Sequence, residues 1–294
     1  MGDLVSLPAA AALAGRAPVR SRLSARPRAR RTHRDAALRP LLFGALERIV
    51  RPRVNAVRAR VGVPPVRDAT GLLLAAPLML YLTAEPFEYP RTDWSPRVRM
   101  VGPCDWDPPA EPPAWLDAVT DPIVLVTTSS EFQDDGRLVA CALEALACES
   151  VHVVATLPAN AAEGVAVPAN ARVLPFTPHA PILDRAACAI THGGMGATQK
   201  ALAREVPVCV VPFGRDQLEV ARRVEVAGAG TRLPAPRLRP DRLRAAVREA
   251  ISRRHGAARV AAGYRAAGGP PAAADALEAL LHARPNAHSV TPSA

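Results

Sequence analysis

The sequence predicts an α/β fold, a doubly wound parallel sheet, over its last two thirds. Three observations point there. From Asp121 onward, short apolar runs alternate with segments of helical periodicity. The first run, Pro122–Thr128 (PIVLVTT), is continuously apolar, as expected of a parallel strand buried on both faces. The Gly-rich and polar residues fall where strands end, the edge at which ligands of such sheets bind.

Taken in order, residues 1–38 are Ala, Arg and Pro without an apolar period and read as a disordered basic arm. Leu41–Val61 reads as a helix broken near Pro52, with apolar positions 42, 46, 49, 50, 54, 57 and 61 close to helical spacing. Pro77–Thr83 reads as a buried strand, and the Pro-rich, aromatic residues 85–115 as a connection between domains. The regular pattern then predicts strands at Pro122–Thr128, Val151–Thr156, Asn170–Pro175, Cys188–Thr191, Val208–Pro212 and Gly230–Leu233. Between and after them it predicts helices at Gly136–Cys148, Ala180–Ala187, Gly196–Arg204, Gln217–Ala227, Asp241–Arg254 and Ala272–Ala283. The expected domains are an arm over 1–38, a short region over 39–103, a linker over 104–120, a Rossmann-like domain over 121–285 and a tail over 286–294.

Composition narrows the function. Of 294 residues 49% are apolar, enough for a sizeable core. The net charge is +10, but residues 1–40 alone hold nine Arg against two Asp, so the rest of the chain is close to neutral. A nucleic-acid footprint across the fold is not expected. The five Cys (104, 141, 148, 188, 209) form no CxxC or CxxH pair, which argues against zinc and redox motifs and fits a reducing cytoplasm. The longest apolar stretch, Ala69–Ala84, has 16 residues with Pro77 in the middle, too short and too broken to span a bilayer. The start, MGDLVSLPAAAALAG, lacks the positive n-region of a signal peptide and reads as an unstructured leader; its match to a short acylation pattern at Gly2 and Ser6 is weak.

The informative segment is Arg172–Gln217. A strand ends at Thr191-His192, Gly193-Gly194-Met195-Gly196 follows, and Ala197-Thr198 opens a helix. Glycines let a ligand approach the backbone, and the unpaired N–H groups of a helix start, with its dipole, suit a diphosphate. Phe176-Thr-Pro-His179 lies one βα unit earlier, and Pro212-Phe-Gly-Arg-Asp216-Gln217 one unit later. An aromatic suits stacking on a base, and an adjacent carboxylate and amide suit the vicinal hydroxyls of a sugar. Taken singly, Phe176 could be core, Asp216 a helix cap and the glycines a bare turn; one sheet edge carrying all three favours a nucleotide-sugar site.

At these residues the chain resembles a known family. Residues 98–285 look like the C-terminal, donor-binding half of a GT-B glycosyltransferase of the UDP-glycosyltransferase superfamily, and are most similar to the bacterial macrolide- and antibiotic-type enzymes. The signature runs aromatic-x-Pro-Gln/His, His-x-Gly-x-Gly/Asn-Ser/Thr and Pro-x(3)-Asp-Gln. Here Phe176, Pro178, His179, His192, Gly194, Gly196, Thr198, Pro212, Asp216 and Gln217 carry it. The resemblance implies that Phe176 and His179 line the base pocket. His192 and the turn Gly193-Gly194, with the backbone of Gly196, Ala197 and Thr198, would hold the diphosphate, and Asp216 and Gln217 the transferred sugar. Ser129 and Ser130 stand where the family has a Gly-Thr/Ser pair near the phosphates.

Two departures accompany the resemblance. Where relatives often place a ribose-binding Glu, two residues past Thr198, this chain has Lys200, which can only donate; either a preference for deoxythymidine-type donors is expected, or Lys200 simply points to solvent on its helix. Only 39–103 resembles the acceptor domain, as a remnant, and the family's catalytic His is not assigned, His33 having no strand before it and no Gly beside it. The implied activity is that of a cytoplasmic, metal-independent hexosyltransferase with no resident cofactor. It would use a UDP- or dTDP-sugar as co-substrate and a small-molecule hydroxyl acceptor such as an antibiotic or natural product. Activity is expected to be impaired or partner-dependent. The alternatives are a non-catalytic nucleotide-sugar-binding protein, or one half of a split enzyme whose other chain supplies the acceptor domain.

Overall fold

The computed structural model describes residues 28–68, 76–92, 94–109, 111–128, 136–157 and 166–283. They fall into two compact units. One consists of Leu82–Pro90 and Met100–Ala273; the other gathers the chain up to Tyr81, Arg91–Arg99 and the chain from Ala274. Among the described residues no helix is long and apolar enough to cross a membrane.

In the second of these units the main element is α1 (Arg28–Arg60). It differs from the sequence reading twice: its first eleven residues, 28–38, lie in the predicted arm, and it runs through Pro52 without a break. Ala and Arg are among the better helix formers, so a stretch with no apolar period can still be helical. After α1 the chain folds back along it. Asn55 donates to Val66 O (3.2 Å) and accepts from Val66 N (2.8 Å). The predicted strand at Pro77–Thr83 shortens to β1 (Met79–Tyr81), which is half-buried rather than buried and pairs with β2 (Val98–Met100). Tyr81 and Trp94 close this unit edge to face, 5.3 Å apart.

The larger unit is the predicted doubly wound domain. Its strands are β3 (Ile123–Thr127), β4 (His152–Thr156), β5 (Ala171–Leu174), β6 (Ala186–Thr191), β7 (Val208–Val210) and β8 (Gly230–Arg232). They pair in parallel in the order β5-β4-β3-β6-β7-β8. In order of appearance this is 3-2-1-4-5-6, the dinucleotide-fold arrangement, which places the topological switch between β3 and β6. The helices are α2 (Gly136–Leu146), α3 (Ala180–Leu183), α4 (Met195–Ala203), α5 (Gln217–Ala227), α6 (Pro240–Ile251) and α7 (Arg254–Ala267). A final helix, α8 (Gly269–Ala283), continues from this unit into the other.

The sheet separates two apolar layers, as its pleat requires. Ile123 and Leu125 of β3 face one layer with residues of α3, α4, α5 and α7; Val124 and Val126 face the other with residues of α2 and α6. Every residue of β3 is buried, which is why its sequence is apolar without alternation. Leu82–Pro90 is wired into this unit. Gly102 N donates to Thr83 O (3.0 Å), Gln199 donates to Leu82 O (2.9 Å), and Phe87 meets Tyr264 edge to face. Arg223 meets the fully buried Glu88 at 3.1 Å.

Candidate functional site

The pairing of β3 with β6 aligns Thr127 with Thr191, so Thr128 and His192 leave the sheet side by side at the switch point. Ser129 and Ser130 follow Thr128 and lie outside the described residues. Thr191 organises the turn on the β6 side. Its hydroxyl accepts from Gly193 N (3.1 Å) and lies 3.3 Å from the hydroxyl of fully buried Thr198. Gly193 has φ +97°, and a Cβ there would sit 3.0 Å from both Gln217 Cβ and Val210 Cγ1. The turn therefore packs directly against the start of α5. A Cβ on Gly194 would come within 2.7 Å of His192 Nε2, so the ring of His192 lies over the backbone of Gly194.

Gly194 caps α4 with no side chain, and the first helical bond is Thr198 N to Gly194 O (3.1 Å). The amide of Thr198 is spent on the helix, and its hydroxyl faces Thr191. The amides of Met195, Gly196 and Ala197 are the ones with no acceptor among the described residues, as the geometry of a helix start dictates. A Cβ added at Gly196 would meet nothing within 4 Å. Packing does not demand a glycine there, yet glycine costs a helix about 0.8–1 kcal/mol against Ala. Bare amides under open space at a dipole's positive end are what an anion needs.

The flanking residues converge on the same edge. Gln217 is buried, and its Oε1 accepts from the amides of Phe213 (2.8 Å) and Gly214 (3.1 Å), which locks the turn after β7. Asp216 precedes α5 half-buried; its carbonyl accepts from Glu219 N (2.8 Å) and Val220 N (3.1 Å), and its side chain makes no capping bond. Arg215 before it holds a positive φ of 52°, uncommon for a non-glycine residue. Beyond β5, Phe176 is 69% exposed, which removes it from the core. His179 is half-buried with Nε2 3.2 Å from Thr156 Oγ1. Burial first, then the ammonium of Lys200, hold its pKa below the usual imidazole value.

Lys200 is engaged by the linker. Its ammonium pairs with Asp107 and donates to Trp106 O (3.0 Å), and the second oxygen of Asp107 accepts from Ala180 N (2.8 Å). A carboxylate from the linker therefore stands beside Lys200. Sequence reasoning missed Asp107 because it is distant in the chain, although an unexplained cation at a ligand edge is itself a signal to look for its acid. Among the described residues no three His, Cys, Asp or Glu side chains converge as metal ligands would.

Comparison with known proteins gives this edge a context. Residues 140–280 match the family described as erythromycin biosynthesis protein CIII-like, C-terminal domain. The chain is 37% identical over 257 residues to a 4'-demethylrebeccamycin synthase of Lentzea aerocolonigenes, covering 84% of this chain and 61% of that protein. It therefore spans about three fifths of that relative's length. Among solved structures, the kitacinnamycin glycosyltransferase superposes with a TM-score of 0.69 at 26% identity, covering 84% of this chain and 67% of that one. The glycosyltransferase VinC, in complex with dTDP, superposes with a TM-score of 0.59 at 28% identity, covering 70% of this chain and 51% of that one.

Proposed function

Because residues 140–280 match the erythromycin biosynthesis protein CIII-like C-terminal domain family, we propose that this chain binds a nucleoside-diphosphate sugar at the β3–β6 edge and serves its transfer to a hydroxyl of a small natural product. The open start of α4, beside His192, carries the proposal. The diphosphate lies against the amides of Met195, Gly196 and Ala197 and the His192 ring. The base stacks on exposed Phe176, and Asp216, whose side chain makes no capping bond, accepts hydroxyls of the sugar. Gln217 acts chiefly by holding the turn that presents Asp216. The dTDP bound by VinC supports a pyrimidine nucleotide. The nucleotide sugar is a co-substrate, and no resident cofactor enters this reading.

In the transfer, the acceptor oxygen bonds to the anomeric carbon as the bond from that carbon to the diphosphate oxygen breaks, and the acceptor proton passes to a base. This domain contributes at the departing diphosphate. Preoriented donors meet the growing charge without reorganising, and losing one such donor typically costs about 10²–10³ in rate. Calorimetric titration of UDP and dTDP into the wild type and His192→Ala tests the site. Loss of a charge-assisted hydrogen bond worth about 1.5–3 kcal/mol predicts weakening of roughly tenfold or more. Equal affinity in both proteins would remove His192 from the site.

A further inference from the structure

The linker docks on α4 in register. Arg204 binds Asp105 and also reaches Asp184 at 3.2 Å, while Lys200 binds Asp107. Acids two apart on an extended chain are about 6.6 Å apart, close to the spacing of side chains four apart on a helix, so the two pairs form together. Asp107 is the more enclosed acid: its side chain is 15% exposed and that of Lys200 17%. Its carboxylate is tied at both ends. One oxygen accepts from Ala180 N, four residues after Phe176; the other is held by Lys200, two residues after Thr198.

These ties join the acid to the segment that follows the aromatic on which a base would stack and to the helix whose start would hold a diphosphate. A nucleotide joining the two must carry its ribose across the interval between them. A carboxylate offers about four lone-pair positions, and two of those on Asp107 remain after Ala180 and Lys200 are served. We propose that Asp107 accepts hydrogen bonds from the ribose hydroxyls of the donor nucleotide, with Lys200 as its positioning residue. This assignment rests on the donor-binding reading above. It reverses the preference expected from Lys200 alone, because the ribose regains an acid acceptor.

The probe pair is UDP and 2′-deoxy-UDP, which differ by one hydroxyl. The wild type should favour UDP by about tenfold, the range of one hydrogen bond to a charged group. Asp107→Asn retains a carbonyl for Ala180 N; it should bring the two nucleotides to within about twofold of each other while 2′-deoxy-UDP binds nearly as in the wild type. Lys200→Gln should reduce the UDP preference, and Lys200→Arg should restore it. If Asp107 only fastens the linker, Asp107→Asn weakens both nucleotides equally, and the assignment is wrong. A wild type that binds both nucleotides with equal affinity defeats the assignment alone. A wild type that binds neither, nor dTDP, defeats the donor reading as well.

Discussion

His179 shows how a single side chain couples the site to pH. Its Nε2 lies 3.2 Å from the Thr156 hydroxyl; burial and then the Lys200 ammonium disfavour the imidazolium, with Asp107 opposing them in part. The unfolded chain titrates His at about 6.5 and the fold at a lower pH. Between those values the unfolded state binds more protons. The contribution of His179 to stability is therefore complete above about 6.5 and is lost as the pH falls through the folded value. His152 is shifted the same way, by burial and then by Arg172, so the acid loss is shared between two rings. His179→Gln should lose less melting temperature between pH 7 and pH 5 than the wild type does. An equal drop in both proteins would show that His179 titrates normally.

At the scale of elements, the turn leading into α4 separates glycines that serve the fold from a glycine that serves a ligand. Gly193 holds φ +97° against Gln217 and Val210, so Gly193→Ala should destabilise by about 1–3 kcal/mol. Gly196 has open space above it, so Gly196→Ala should raise stability by up to about 1 kcal/mol yet weaken UDP or dTDP roughly tenfold or more, because the methyl group enters the ligand's space. Thermal melts and calorimetry on both variants check this, and a Gly196→Ala protein with unchanged nucleotide affinity would place the diphosphate elsewhere. Much of this region was legible in the sequence. The α5 bounds match, and the remaining predicted strands and helices of the domain shift by a few residues, because buried apolar runs and Gly-marked ends are strong local signals. The helix α7 was not legible: its buried face is Ala257, Val260, Ala261 and Tyr264, mostly small, and Gly256 and Gly263 sit against the carbonyls of Gly228 and Glu85. Small residues at a close backbone contact carry little apolar contrast. Nor could local pattern reveal that Asp107 would meet Lys200, since that contact is made by the fold.

For the whole molecule, every described residue of the candidate site lies in the unit built from Leu82–Pro90 and Met100–Ala273, and the boundary of that unit is not where composition shifts. The Pro-rich stretch reads as a spacer, yet its first residues are core. Phe87 and the side chain of Glu88 are buried, and Arg223, 7% exposed, has Glu88 at 3.1 Å with Glu219 only at 3.9 Å. A fragment of residues 82–283 should therefore melt in one cooperative transition and bind nucleotide within about threefold of the full chain. A fragment of residues 100–283 looks closer to the regular α/β pattern, but it takes the Glu88 carboxylate from buried Arg223, at about 3–5 kcal/mol. It also empties the space of Phe87 beside Tyr264, at about another 3–5 kcal/mol. Domains of this kind have about 5–15 kcal/mol in total. The shorter fragment should be unfolded or should melt more than 10 °C below the longer one, at about 2–4 °C per kcal/mol for a unit of this size. Circular dichroism melts of the two fragments decide the matter. Equal melting temperatures would mean that Leu82–Pro90 is a tether after all, and that the unit begins at Met100.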